Sequence, residues 1–224
     1  MKRFFAVLIA LVAVCSVAGA QSWPRYERYQ QADAEQAGKV KVAFMGDSIT
    51  ELWYGQDSEF FDMNGFAARG ISSQTTYQML ARFRPDVVEL KPKAVVILAG
   101  TNDIAMNSGT IDREYIVKNL ISMCDIARNN GIKVYLCSIL PCKGYSWRPE
   151  LGNPTENIMW VNSQLEEYAA HTRKVTYVDY FNAVKDDSNA LREDFTKDNC
   201  HPLLPCYKVM EKIITGYVGG RVNE

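Results

Sequence analysis

Apolar positions along this chain follow two rhythms. At 40–45, Val40, Val42 and Phe44 alternate at the two-residue period of a pleated strand. At 93–99 the run Ala94-Val95-Val96-Ile97-Leu98 is continuously apolar, as a parallel strand covered on both faces must be. Shorter strands are predicted at 66–68, 133–139 and 175–178. Between them the period changes to that of helices, at 75–84, 113–129, 158–171 and 203–218. In the second of these, Ile116, Leu120, Met123 and Ala127 fall at three- and four-residue spacings, and Asn130-Gly131 supplies a stop. Strand and helix in repeated alternation argue for an α/β fold, a parallel sheet with helices on both faces. Ligands of such sheets gather at the carboxyl ends of the strands.

The N-terminus stands outside this pattern. Lys2 and Arg3 precede the apolar run 4–14, and Ala18-Gly19-Ala20 resembles the small-residue site at which a secretory leader is cut. The run is shorter than the roughly 20 residues of a membrane-spanning helix, so 1–20 reads as a signal peptide and the protein as secreted or periplasmic, without stable membrane insertion. Cys15 leaves open a second processing site with lipid attachment, although Val14 before it is bulky. Residues 21–39, with Tyr26 and Tyr29 among many polar side chains, read as a helical arm outside the main sheet. The remainder, 40–220, is long enough for one core and too short for two.

Composition then narrows the chemistry. A formal net charge of −1, with Lys and Arg numbering 25 against 26 Asp and Glu, gives no electrostatic footprint for nucleic acid. Neither GxGxxG, GxxxxGK[ST] nor GxSxG occurs, so dinucleotide sites, P-loops and the ordinary nucleophile elbow lack their signals. After the leader, five cysteines remain: Cys124, Cys137, Cys142, Cys200 and Cys206. The odd number leaves at least one unpaired within a monomer, and the spacings do not match paired metal knuckles. No metal or cofactor is expected.

Two readings fit Met45-Gly46-Asp47-Ser48-Ile49-Thr50-Glu51, which follows the first strand. Ser48 with Glu51 three residues on matches a capping box opening a helix, yet a serine at the carboxyl end of a strand is also placed to be a nucleophile. A serine hydroxyl needs a base, and the base needs an orienting group. Two histidines are available. His171 closes an amphipathic helix, where a cation complements the helix dipole. His201 lies in the polar turn Asp198-Asn199-Cys200-His201-Pro202, where the Asp198 carboxylate can fold back onto the imidazole. Gly70, in Arg69-Gly70-Ile71, and Asn102, in Gly100-Thr101-Asn102-Asp103, could each offer an N–H to a developing oxyanion.

With these four blocks in this order the chain resembles the SGNH (GDSL-like) hydrolases over about residues 40–218. One departure is Asn199-Cys200, standing where the family often has glycine and a small aliphatic residue. The resemblance implies a flavodoxin-like three-layer α/β/α sandwich around five parallel strands. It further implies Ser48 as nucleophile, His201 as base, Asp198 as its partner, and an oxyanion hole from the Ser48 N–H, the Gly70 N–H and the Asn102 side chain.

Similar secreted proteins hydrolyse carbohydrate O-acetyl esters, lysophospholipids or platelet-activating-factor-like lipids. The loop after the fourth strand weighs toward carbohydrate: Tyr145, Trp147 and Arg148 mix flat aromatic faces with polar donors, which suits a sugar better than an alkyl chain. The expectation is therefore a serine esterase acting on short acyl groups of a glycan or small-molecule ester. A lipid acyl hydrolase and a non-catalytic carbohydrate-binding protein are the alternatives.

Overall fold

The computed structural model describes residues 22–221; the leader-like segment with Cys15 lies outside them. Five strands form one parallel sheet in the order β2-β1-β3-β4-β5: β1 is Val42–Gly46, β2 Phe66–Gly70, β3 Ala94–Leu98, β4 Lys133–Cys137 and β5 Val175–Val178. The protein is a three-layer α/β/α sandwich. The expected strands are present, with β2 extending two residues beyond the predicted run and β4 ending two residues before it.

Alternation along each strand divides the core. Ala43, Met45, Val95, Ile97, Val134 and Leu136 face one side, where they meet Met79 and Phe83 of α4 (Thr76–Phe83), Leu120 and Met123 of α6 (Arg113–Asn129), and Leu165 of α7 (Thr155–Ala170). Val42, Phe44, Val96, Leu98, Tyr135 and Cys137 face the other side. There they meet Ile49 and Trp53 of α2 (Ser48–Gln56), Phe60 and Phe61 of α3 (Ser58–Asn64), and Met210 and Ile214 of α9 (Leu204–Val218). Phe44 sits among the rings of Trp53, Phe60, Phe61 and Phe66, with centroids 5.1–6.4 Å away. Burying each such side chain stabilises the fold by roughly 1.5–3 kcal/mol.

Helix α3 escaped the periodicity reading. It spans 7 residues, and its adjacent Phe60-Phe61 shows no helical spacing. Its ends are nonetheless encoded: the Asp57 carboxylate accepts from the Phe60 N–H at 3.2 Å, and Gly65 closes it at φ 66°. Two single-turn helices, α5 (Thr101–Ile104) and α8 (Phe181–Val184), follow β3 and β5.

The segment before the sheet docks against its edge. Helix α1 (Gln30–Gln36) lies beside β2, one of the two edge strands. Arg69 reaches from β2 to Asp33 Oδ1 at 2.8 Å and Gln36 Oε1 at 2.7 Å, with its guanidinium 4.9 Å from the Tyr29 ring centroid. The arm thus covers an edge that would otherwise offer unpaired backbone groups.

Candidate active site

The strand order reverses between β1 and β3, the neighbours that leave the sheet centre in opposite directions. At such a switch point the loops from two carboxyl ends part and leave a crevice. Ser48 follows β1 and Asn102 follows β3, so both stand at its mouth.

Asp47, not Ser48, caps α2. Its Oδ1 accepts the Ile49 N–H at 2.9 Å, and Ser48 is the first residue of the helix. Glu51 does not fold back to complete the predicted capping box: its carboxylate accepts from the Ser72 N–H and from Arg28 Nη2, at 2.8 and 3.0 Å. Relieved of capping, the Ser48 hydroxyl meets His201 Nε2 at 3.0 Å. His201 Nδ1 in turn lies 2.6 Å from Asp198 Oδ2.

Asp198 is held from its other side. Its Oδ1 accepts from the His201 N–H at 2.8 Å, the Cys200 N–H at 3.0 Å and the Thr196 hydroxyl at 3.1 Å. Partial burial works against its ionisation, but the hydrogen bonds from the His201 ring and from these amides outweigh it and hold the carboxyl below its ordinary range. A carboxylate fixed this way keeps Nδ1 protonated and Nε2 free to accept. The sequence His201 to Asp198 makes one turn, with Asn199 at φ 65°, so a single loop supplies both groups. Such a hydroxyl–imidazole–carboxylate chain can draw a proton from Ser48.

Asn102 is buried at the start of α5, and its amide is engaged on both sides. Nδ2 donates to the Gln74 carbonyl at 3.1 Å, and Oδ1 accepts from Asn107 Nδ2 at 2.6 Å. Among the described residues, the second hydrogen of Nδ2 has no acceptor. The Ser48 N–H is also free of the helix ladder, since the first bond of α2 runs from Glu51 N to the Asp47 carbonyl.

Gly70 departs from expectation. Successive residues of a strand turn their backbone groups to alternate sides. The Ile71 N–H bonds the Gly46 carbonyl of β1 at 3.2 Å, so the Gly70 amide faces the opposite, outer edge, where its carbonyl accepts from the Tyr29 hydroxyl. The structure therefore does not turn the Gly70 N–H toward Ser48. What requires glycine is close approach: a Cβ there would lie 2.2 Å from Glu51 N and 2.6 Å from the Asp47 carbonyl oxygen, inside the first turn of α2.

Residues 44–208 match the GDSL-like lipase/acylhydrolase family. The chain belongs to that family. A solved structure from Bacteroides fragilis is 40% identical, covering 89% of this chain and 98% of its own, with a TM-score of 0.86. A GDSL-like lipase from Bacteroides thetaiotaomicron is also 40% identical, over 88% of this chain and 98% of its own, with a TM-score of 0.85. An acetylxylan esterase from Geobacillus stearothermophilus shares the fold at 18% identity, with a TM-score of 0.63 over 84% of this chain and 98% of its own. A stretch of 75 residues is 35% identical to the uncharacterized lipoprotein YqeF of Bacillus subtilis, covering 32% of this chain and 31% of that one, under a third of its length.

In this GDSL-like hydrolase the loop after β4 reaches the catalytic edge through Trp147 alone among the three side chains expected to meet substrate. Trp147 is 37% exposed, and its ring centroid is 5.6 Å from that of His201. Tyr145 is 2% exposed and lies beneath it, the two rings 5.2 Å apart, so it supports Trp147 and presents no face to a sugar. Arg148 is committed to the protein, donating to the Met106 carbonyl at 3.0 Å and pairing with Glu150 at 2.6 Å. His171 lies at the C-terminal cap of α7 with Nδ1 2.9 Å from the Glu167 carbonyl oxygen, apart from the Ser48 relay.

Other residues at this edge were not legible in advance. Thr196 bonds Asp198 from two residues before it, and Asn107 bonds Asn102 from five residues after it. Asp103, next to Asn102, anchors α4 by accepting from the Thr76 N–H at 2.9 Å and the Thr76 hydroxyl at 2.6 Å. Burial pushes Asp103 up to about 6, and does the same to Asp47. All five described cysteines are buried as free thiols, and no cluster of three or more His, Cys, Asp or Glu among the described residues could hold a metal ion.

Proposed function

We propose that this GDSL-like acylhydrolase is a serine esterase that removes short acyl groups, acetyl foremost, from carbohydrate. The observation that carries the chemistry is the hydrogen-bonded relay from Ser48 through His201 to Asp198, at 3.0 and 2.6 Å. Ser48 Oγ attacks the ester carbonyl while His201 Nε2 takes its proton, and Asp198 stabilises the imidazolium. The carbonyl oxygen, now an oxyanion, receives the Ser48 N–H at the positive end of α2 and the free hydrogen of Asn102 Nδ2. As the ester C–O bond breaks, His201 returns the proton to the departing sugar hydroxyl, leaving an acyl-Ser48. Water activated by the same imidazole then releases the carboxylic acid.

The choice of carbohydrate rests on Trp147, whose exposed indole beside His201 offers a flat surface on which a pyranose can stack. The triad is itself accessible, with the His201 and Asp198 side chains 27% and 35% exposed, which suits an ester carried on a bulky polymer. The fold shared with an acetylxylan esterase agrees with this reading. Export from the cytoplasm is part of the proposal, supported by the leader-like 1–20 and by the local likeness to a named lipoprotein.

The test is release of acetate from acetylated polysaccharides, beside p-nitrophenyl esters of two to eight carbons and lysophospholipids. Acetyl esters should give the highest kcat/KM. Preference for octanoate or lysophospholipid would replace the carbohydrate reading with a lipid one. Failure to form any acyl-enzyme with an activated ester would favour a non-catalytic binding protein.

A further inference from the structure

Asn102 is useful as an oxyanion donor only if its amide is turned the right way. Rotating the amide by half a turn exchanges Oδ1 and Nδ2 and points a carbonyl dipole at the developing negative charge. The two ends are nearly the same in size and shape, so packing alone selects neither. Something polar must choose.

The choice is made from both ends of one hydrogen-bond chain, Trp147 at one end and the Gln74 carbonyl at the other. An indole Nε1–H only donates, and Trp147 Nε1 lies 3.0 Å from Asn107 Oδ1. With its oxygen so occupied, Asn107 turns its nitrogen to Asn102 Oδ1, at 2.6 Å. Asn102 in turn is left with Nδ2 toward the Gln74 carbonyl, at 3.1 Å, which only accepts. The chain therefore begins at a group that cannot accept and ends at one that cannot donate, and every amide between has one consistent orientation. Both ends are anchored. Gln74 is gripped by Arg82 Nε on its Oε1 and donates from Nε2 to the Pro24 carbonyl at 2.9 Å, while Asn107 is tied by its own N–H to the Asn102 carbonyl at 3.0 Å.

We propose that Trp147 and Asn107 are positioning residues that, together with the Gln74 carbonyl, hold the Asn102 amide in one orientation, so that its free N–H faces the oxyanion. This rests on the reading of Asn102 as an oxyanion donor. Trp147 thereby links two parts of the site: the same side chain that packs beside the His201 ring also favours, through Asn107, the orientation in which Asn102 offers an N–H to substrate.

Asn107→Asp is the sharpest probe. The new carboxylate can still accept from Trp147 but cannot donate to Asn102 Oδ1, which favours the flipped amide. With p-nitrophenyl acetate, kcat is expected to fall roughly 10- to 100-fold with KM changed less than about 2-fold. Trp147→Phe, which keeps a ring beside His201 and removes the donor, should lower kcat in the same sense by a smaller factor, on the order of 3- to 10-fold. Unfolding midpoints report whether each variant is folded. The decisive measurement is the double variant: in an Asn102→Ala background, Asn107→Asp should cause no further loss, because no amide remains to be turned.

A full additional loss in that background would mean that the new charge acts directly, and would overturn the proposal. Unchanged kcat in both Asn107→Asp and Trp147→Phe, with Asn102→Ala impaired, would overturn the relay and leave the oxyanion reading standing. Wild-type kcat in Asn102→Ala would remove both.

Discussion

The Asp47 carboxylate accepts the Ile49 N–H at 2.9 Å and so takes over the capping of α2 from its neighbour, Ser48, whose hydroxyl is 3.0 Å from His201 Nε2. The cap and the serine that faces His201 are adjacent but separate residues. The competition between the two roles for one hydroxyl, which the sequence left open, is absent from the folded protein.

Ser48→Ala should therefore abolish ester hydrolysis without the loss of about 1 kcal/mol that follows removal of a helix cap. Urea unfolding beside an activated-ester assay checks both halves. Retained turnover would take Ser48 out of the mechanism, and a midpoint lowered as far as in Asp47→Ala would show that Ser48 caps after all.

Asp198→Asn should lower kcat by roughly 10⁴-fold, since an amide can no longer act as a charged acceptor for Nδ1 and the wrong tautomer of His201 is favoured. Two backbone N–H groups still reach Oδ1, so the loop should hold its shape and KM should move little. An unaffected kcat would mean that His201 works without this partner.

Gly70→Ala separates the packing role assigned here from the expected donor role. Alanine keeps the amide N–H, so a residue serving only as donor would tolerate it. A Cβ 2.2 Å from Glu51 N instead forces β2 and α2 apart, at a cost of roughly 1–3 kcal/mol, and shifts the turn that carries Ser48. Thermal unfolding should show the loss. A variant as stable and active as the parent would refute the packing argument.

Asp103 gives a pH signature. Burial raises it to about 6, against an unfolded value near 4. Between these values the native state keeps a proton that the unfolded chain releases, so stability falls as pH rises from about 4 to 6 and the loss is complete above that window. Asp103→Asn should flatten this part of the stability curve, leaving the slope due to Asp47 and Asp86, which burial also pushes up to about 6. Urea midpoints at pH 4, 5, 6 and 7 test it, and parallel curves for the two proteins would contradict it.

Local pattern determined much of this protein. Alternation in Val42 and Phe44, the unbroken Ala94 to Leu98 and the Gly131 stop are set by side chains within a few residues of one another, so the strands, the long helices and the parallel sheet could be read in advance. Asp198 and His201 were legible for the same reason, since they share one turn. Contacts between distant loops were not. Whether Gly70 turns its amide in or out depends on which edge of β2 is paired with β1, and that is a property of the assembled sheet. Tyr145 and Trp147 have equal claims as aromatic residues in one loop, yet packing buries the first and leaves the second beside His201. Asn107 carried no signal at all: it lies five residues from Asn102 and 40 from Trp147, and only folding brings the indole N–H to its amide. Sequence pattern records short-range periodicity, whereas the direction of a hydrogen bond between loops is decided when the sheet places their ends together.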